Sequence, residues 1–277
     1  MTRTALKHQV ASGLRTLRER AGISREDAAS VIRASVPTIG HIETARSLPS
    51  GLQLEKLLAH YGCPERIPAF LDLRERARAG HDWWSVHPAD AIPAYRTLFL
   101  GGETVAERIE VWDPQHVPEL ASTPDYAAAL LRATDTPPED LDQRLALLAD
   151  RQRAVLDDNA PAVTLVIGEV ALRWPVGEPA VVRAQVDHLV ALTRRPTVEV
   201  RILPVEAPRH PGPFTLLTFP GLGLGDEPTA VYEETMVSGY HYDSPVDVAR
   251  YRAAFAGLVA ESIGPDGLPV MLRRLGF

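Results

Sequence analysis

The sequence predicts an α+β protein, in which an all-α N-terminal domain of five helices precedes a mixed α/β C-terminal domain with one sheet covered by helices. Two observations predict this fold class. Apolar residues recur at helical spacing through the first 80 residues, whereas alternating or continuous β-branched runs occur only after residue 100. The chain has 277 residues, a comfortable length for two domains. We place the boundary near Gly80, which gives domains over residues 1–80 and 81–277.

The composition excludes several classes of protein. The single cysteine, Cys63, excludes an internal disulfide and a thiolate-rich metal site. Nine histidines are scattered without the spacing of metal ligands, and no nucleophile elbow, phosphate loop or paired-histidine zinc helix occurs. No apolar run approaches the roughly 18 residues that span a bilayer, and the N-terminus lacks the apolar core of a signal peptide. We therefore expect a cytoplasmic protein with no metal, no cofactor, no membrane partner and no recognisable catalytic residue.

The charge is distributed unevenly along the chain. The net charge is −7, but residues 1–50 carry eight Lys and Arg against four Asp and Glu. That is +4 for this segment, which leaves −11 for the rest of the chain. A basic N-terminal segment followed by an acidic remainder is typical of a small DNA-binding module attached to a larger domain.

Short polar residues mark the starts of the second and third helices. Ser24 begins the second helix, with Asp27 three residues later in an arrangement like a capping box. Ser35 begins the third helix, with Pro37 in its first turn. The residues expected to face inward from the first three helices are Val10, Leu14, Leu17, Ala21, Ala28, Ala29, Ile32, Ile39 and Ile42. Two helices joined by a tight turn, here over residues 24–46, are how proteins place a helix in the DNA major groove, so the sequence predicts a helix-turn-helix.

Two further helices complete the N-terminal domain. The fourth follows Ser50 and carries Leu54, Leu57 and Leu58 on one stripe, and the fifth covers residues 64–79 and is rich in arginine. In the C-terminal domain, the predicted helices cover residues 95–100, 126–132, 137–156, 178–193 and 244–258. The predicted strands cover residues 104–112, 163–167, 198–203, 214–219 and 230–234.

With these residues laid out, the whole chain resembles the actinobacterial regulators that join a helix-turn-helix of the xenobiotic-response-element (XRE) type to a long C-terminal domain of unknown function. The matching blocks are residues 14–44, ending in IGHIET, and then Val117-Pro118, residues 125–127, Arg151-Gln152, residues 169–177 (EVALRWPVG), 210–220 (HPGPFTLLTFP) and 247–252 (DVARYR). The resemblance implies a cytoplasmic, usually dimeric regulator that binds double-stranded DNA. Members are often paired with a small acidic partner protein, in the manner of an antitoxin.

The candidate DNA contacts lie in and around the third helix. They are Arg25, Arg33, Ser35, Val36, Thr38, His41 and Arg46. Thr38 can donate to a base, and Val36 can make an apolar contact with thymine. However, residues 35–41 carry neither the forked donors that recognise guanine nor the amides that recognise adenine. Where the family has glycine after Glu43-Thr44, this chain has Ala45. The alternative is therefore a domain kept for folding or dimerisation after its DNA readout was lost.

Aromatic and polar side chains in the C-terminal domain are candidates for a small-molecule pocket. They are Arg173, Trp174, His210, Tyr232, Glu233, Tyr240, His241 and Tyr242. The alternative is that the aromatic residues are packing residues and that His210 belongs to a loop. Residues 240–242, three amphipathic rings in a row, form the most unusual local cluster.

The sequence thus supports one main hypothesis and two alternatives. The main hypothesis is a transcriptional regulator that binds DNA as a homodimer and senses a ligand or partner through its C-terminal domain. The first alternative is an enzyme or small-molecule-binding protein of a biosynthetic pathway with a non-functional helix-turn-helix. The second is a protein-binding module like an antitoxin.

Overall fold

The computed structural model describes residues 2–88, 91–134, 136–157, 160–207, 211–221 and 228–277. The helices are α1 (Arg3–Arg20), α2 (Arg25–Val31), α3 (Val36–Glu43), α4 (Gly51–His60), α5 (Ile67–Ala79), α6 (Thr97–Glu103), α7 (Pro124–Ala133), α8 (Pro138–Val155), α9 (Glu169–Arg173), α10 (Pro179–Leu192), α11 (Pro245–Glu261) and α12 (Leu268–Arg274). The strands are β1 (Arg108–Asp113), β2 (Ala162–Gly168), β3 (Val198–Leu203), β4 (Phe214–Thr218), β5 (Thr229–Glu234) and β6 (Gly239–Tyr242). They form two compact units, the first containing α1–α6 and the second containing β1–β6 with α7–α12. The α+β class is therefore confirmed.

Serine side chains begin α2, α3 and α4 where the sequence predicts them. The backbone N–H of Asp27 donates to Ser24 Oγ at 3.0 Å, and that of Thr38 donates to Ser35 Oγ at 3.4 Å. At the start of α4, Ser50 and Gln53 form a complete capping box. Each cap satisfies a backbone donor that the first helical turn leaves without a partner, so the helix starts are fixed locally.

The apolar stripes of α1–α5 form the core of the first unit. Eight of the nine residues predicted to face inward from the first three helices are buried, whereas Ala21 is exposed because α1 ends at Arg20. They are joined by Leu54, Leu57 and Leu58 of α4 and by Phe70 of α5. Burial of these side chains is what holds such short helices in place, because helices of this length are marginal in isolation.

Helix α6 packs in the first unit, although the sequence suggested a short helix within the second domain. Phe99 and Leu100 are buried, and a Cβ on Gly101 would lie 3.1 Å from the ring of Trp84 and 3.3 Å from Ala5 of α1. A side chain at this position would therefore crowd Trp84 and α1, which glycine avoids. Because α6 continues to Glu103, the strand predicted over residues 104–112 begins only at residue 108.

The second unit is built on a mixed six-stranded sheet in the order β3-β2-β1-β4-β5-β6. Strands β1, β2 and β3 are parallel to one another, whereas β4 pairs antiparallel with β1, β5 with β4 and β6 with β5. Helix α11 covers one face, where Phe255 and Leu258 pack against Trp112, Phe214 and other strand residues. Among the described residues, no helix is long and apolar enough to cross a membrane.

Three elements of the second unit were not predicted. Strand β6 coincides with the aromatic cluster at residues 240–242, which the sequence suggested as a pocket lining. Helices α9 and α12 have five and seven residues, too few for a helical period to stand out.

Candidate functional site

Helix α3 has one buried side and one side open to solvent. Ile39 and Ile42 are 1% and 2% exposed, whereas Val36 is 37% exposed, and Pro37 and His41 are also exposed. The helix is therefore fixed by its isoleucines, and its opposite side is available to another molecule. This is the arrangement that a recognition helix needs.

The hydroxyl groups at the start of α3 are engaged with each other. Ser35 Oγ lies 2.9 Å from Thr38 Oγ1 and also accepts the backbone N–H of Thr38. Near the end of the helix, Thr44 Oγ1 donates to the carbonyl of Gly40 at 2.8 Å. The hydroxyl groups of Ser35, Thr38 and Thr44 are therefore already engaged in contacts within the protein.

Two exposed arginines flank α3. Arg33 lies in the turn between α2 and α3, and Arg46 follows the end of α3. The backbone of Arg33 has φ 52°, and that of Ala45 has φ 57°, both in the left-handed region. Glycine adopts this region at no steric cost, whereas other residues lose roughly 1 kcal/mol or more there. The chain therefore accepts backbone strain at both ends of α3.

Arg25 is held by a buried carboxylate. Its Nε donates to Glu43 Oε2 at 2.8 Å, while Arg18 donates to both oxygens of Glu43, at 2.5 and 3.2 Å. The Glu43 side chain is 2% exposed, that of Arg18 is 9% exposed, and that of Arg25 is 46% exposed. Burial opposes ionisation of Glu43, but the hydrogen bonds from Arg18 and Arg25 outweigh it and lower the pKa of Glu43 below its ordinary value. The ion-pair cluster Arg18–Glu43–Arg25 therefore ties α1, α2 and α3 together, and Arg25 still reaches solvent.

The predicted pocket residues of β5 and β6 lie on two faces of the sheet. Tyr232 pairs with His241 and Glu233 pairs with Tyr240 in the antiparallel register, so Tyr240 and Tyr242 point away from the face of His241. The rings of Tyr232 and His241 lie 4.9 Å apart. The row of three rings therefore does not converge on one point.

The other predicted pocket residues lie elsewhere. Arg173 and Trp174 follow β2. Strands β1 and β4 lie between β2 and β5, so β2 and β5 are three strand spacings apart, about 14 Å. Arg173 Nε donates to the buried carboxylate of Glu169 at 2.6 Å, and Trp174 is 52% exposed. His210 lies outside the described residues.

On the α11 side of the sheet, Glu233 accepts hydrogen bonds from two tyrosines. Tyr251 OH donates to Glu233 Oε1 at 2.7 Å, and Tyr242 OH donates to Oε2 at 3.2 Å. The two rings are stacked with centroids 5.8 Å apart. Burial and the neighbouring carboxylate of Glu233 raise the pKa of both tyrosines. Two of the predicted residues, Glu233 and Tyr242, are thus brought together, with Tyr251 added.

Sequence reasoning missed a second charged cluster, on the opposite face. Arg96 and Arg151 both contact Oε2 of Glu119, and Arg96 also lies 3.2 Å from Glu234 on β5. Desolvation by the surrounding protein opposes ionisation of Glu119, but the charges of Arg96 and Arg151 outweigh it and lower the pKa of Glu119 to about 2. Tyr232 OH donates to Glu234 at 2.9 Å. These residues are far apart in the sequence, and no local pattern indicates that they meet.

Comparison with protein families supports both parts of the chain. A model described as a helix-turn-helix domain matches residues 9–67, and a model described as a domain of unknown function (DUF5753) matches residues 97–268, more than half of the chain. The chain belongs to the DUF5753 family. Searches of curated proteins and of solved structures return no match. The narrower resemblance to actinobacterial, antitoxin-like regulators stays a prediction.

The DUF5753 match and the compact units do not have the same limits. The match begins at residue 97 and so includes α6, which packs in the first unit. Both clusters described on the sheet have members inside the DUF5753 match. Glu233 belongs to the cluster with the two tyrosines, and Glu119 and Arg151 belong to the cluster with Arg96. The helix-turn-helix match contains α2 and α3 completely, with the ion-pair cluster that joins them to α1.

Proposed function

We propose that this DUF5753 protein is a transcriptional regulator that binds double-stranded DNA as a homodimer and senses a ligand or partner protein through its second unit. Such a regulator works in the cytoplasm. The observation that carries the proposal is the arrangement of α3, whose isoleucines are buried while its opposite side is exposed. A helix presented in this way by a helix-turn-helix enters the major groove.

Electrostatics supports the same surface. Arg33 and Arg46 are exposed at the two ends of α3, and Arg25 offers its remaining guanidinium donors near the start of α2. Lysines and arginines around a recognition helix contact phosphates and supply most of the affinity that does not depend on sequence. Three cations around one helix can therefore position α3 even though its own side chains are weak donors.

A homodimer predicts the form of the operator. Two copies related by a two-fold axis bind two half-sites in an inverted repeat, one helical turn or a multiple of it apart, about 10 base pairs from centre to centre. A single half-site should bind the protein much more weakly than the repeat.

The test is selection of duplexes from a random pool by the full-length protein, followed by titration of the selected duplex at several salt concentrations. We expect affinity to fall steeply with salt, and Arg33→Ala and Arg46→Ala each to reduce the slope of log K against log salt by about 0.9, the value for one phosphate contact. Arg78→Ala is the matched control, because Arg78 is 61% exposed on α5 and pairs with Glu75. Failure to enrich any duplex at low salt would refute the proposal.

A second candidate function is a protein that binds or converts a small molecule and whose helix-turn-helix no longer binds DNA. It is favoured by the outward side of α3, where Val36, Pro37 and His41 offer no guanidinium or amide group for base edges. Native mass spectrometry of the purified protein tests it. A co-purified ligand together with no enriched duplex favours this function over regulation.

A further inference from the structure

Two apolar residues occupy the first two positions of α3. Val36 is 37% exposed and Pro37 is exposed. In helix-turn-helix proteins the N-terminal residues of the second helix are those that contact base edges. Here these positions can make van der Waals contacts only, because neither side chain has a donor or acceptor.

The nearest hydroxyl groups are already engaged inside the protein. Ser35 Oγ and Thr38 Oγ1 lie 2.9 Å apart, and Ser35 also caps the backbone N–H of Thr38. Turning the Ser35 hydroxyl away to a base would break the cap of α3, which is worth about 1 kcal/mol. Turning the Thr38 hydroxyl away would break its contact with Ser35 Oγ. The start of α3 is therefore better suited to apolar contact than to hydrogen bonding.

Gly40 leaves open space beside Val36. It lies four residues after Val36, on the same side of α3, and a Cβ built there would meet no atom within 4 Å. In the middle of an exposed helix, glycine is less favourable than alanine by roughly 1 kcal/mol. The missing side chain lets the edge of a base pair approach the helix backbone next to the Val36 methyl groups.

We infer that α3 reads thymine methyl groups, through Val36 and Pro37 with the space above Gly40, rather than the hydrogen-bonding edges of bases. Thymine is the only base of ordinary DNA that presents an apolar group, its C5 methyl, in the major groove. The operator then has thymines at the base pairs that face the start of α3 in each half-site. This inference rests on the proposed DNA binding.

The experiment replaces each thymine of the selected duplex in turn by deoxyuridine, which removes the methyl group and keeps every hydrogen-bonding group. We expect one or two positions per half-site to lose about threefold to fivefold in affinity, the loss that corresponds to one buried methyl group. Val36→Ala should abolish the loss at one of these positions. Val246→Ala, at a 65% exposed valine of α11, is the matched control and should leave the pattern unchanged.

Gly40→Ala gives an independent readout. We expect this variant to melt at a higher temperature than the wild type, because alanine favours the helix, and yet to bind the selected duplex at least threefold more weakly, because the Cβ occupies the space beside Val36. Higher stability with lower affinity excludes misfolding as the cause.

The outcomes separate the inference from the proposed function. If the protein binds a specific duplex and no deoxyuridine substitution changes its affinity, the inference is overturned and DNA binding stands. If no duplex is bound, the proposed function fails, and the inference fails with it.

Discussion

The ion-pair cluster Arg18–Glu43–Arg25 leads to the sharpest prediction about stability. Glu43→Ala leaves the Arg18 guanidinium, 9% exposed, without its bidentate partner. Removing one member of a buried pair costs about 3–5 kcal/mol, whereas the half-exposed Arg25 contributes less than about 1 kcal/mol. We therefore expect Glu43→Ala to lower the free energy of unfolding of the first unit by about 3 kcal/mol or more, and Arg25→Ala to lower it by less than about 1 kcal/mol.

A double replacement separates the loss of the pair from the exposure of a lone charge. Arg18→Met with Glu43→Leu replaces both charges by apolar side chains of similar size, which is often neutral or stabilising at buried pairs. We expect this double variant to be more stable than Glu43→Ala. Hydrogen exchange of the amides of α1 and α3 is the suitable assay, because it reports the first unit even where the two units unfold separately.

The same cluster predicts a dependence of stability on pH. The pKa of Glu43 in the folded protein lies below its ordinary value of 4.5, so the folded state binds the proton less tightly than the unfolded state does. The stabilisation is therefore complete above pH 4.5 and is lost as the pH falls through the lower pKa of the folded protein. Glu43→Gln should flatten this part of the profile.

Two results would refute this reasoning. One is a Glu43→Ala variant whose α1 and α3 amides exchange as slowly as those of the wild type. The other is a double variant that is less stable than Glu43→Ala, which would mean that the lone charge of Arg18 is not what destabilises Glu43→Ala.

Three further predictions concern single contacts, and each is measured by urea or thermal unfolding. Ala45→Gly should stabilise the protein by about 1 kcal/mol, because φ 57° suits glycine, and a loss of stability would contradict the assigned strain. Gly168→Ala should lower the free energy of unfolding by at least about 2 kcal/mol, because the new Cβ would lie 2.4 Å from the carbonyl oxygen of Pro114. Gly257→Ala, in open space on α11, should raise the free energy of unfolding by up to about 1 kcal/mol. Equal effects of the two variants would be inconsistent with the close approach at Gly168. Arg201→Met should cost about 1–3 kcal/mol, since Arg201 donates to two backbone carbonyls at the end of α11, and no change would show that water replaces it.

The sequence predicted the features that depend on neighbouring residues. The caps at Ser24 and Ser35 use a backbone donor three residues away, so their signal is contained in a short segment. The inward positions of Ile39 and Ile42 follow from the helical period in the same way. The strand over residues 163–167 is confirmed as the central part of β2, because a continuous β-branched run is typical of a buried strand.

The features that were missed depend on residues far apart in the chain. Arg25 was predicted as a DNA contact, but its carboxylate partner Glu43 is 18 residues away and could not be paired with it from spacing alone. The aromatic residues 240–242 look like a pocket lining in the sequence, yet a strand places successive side chains on opposite faces. The cluster of Arg96, Glu119 and Arg151 joins three separate elements, which only the assembled sheet and its helices bring together.

The central claim is that the outward side of α3 is the surface that binds DNA. Hydrogen exchange of the full-length protein, with and without the selected duplex, tests this claim most directly. The account predicts slower exchange in α2, in the turn at Arg33 and in the first turn of α3, with no such change in α11. Slower exchange confined to the second unit, with α2 and α3 unchanged in the presence of bound duplex, would contradict it.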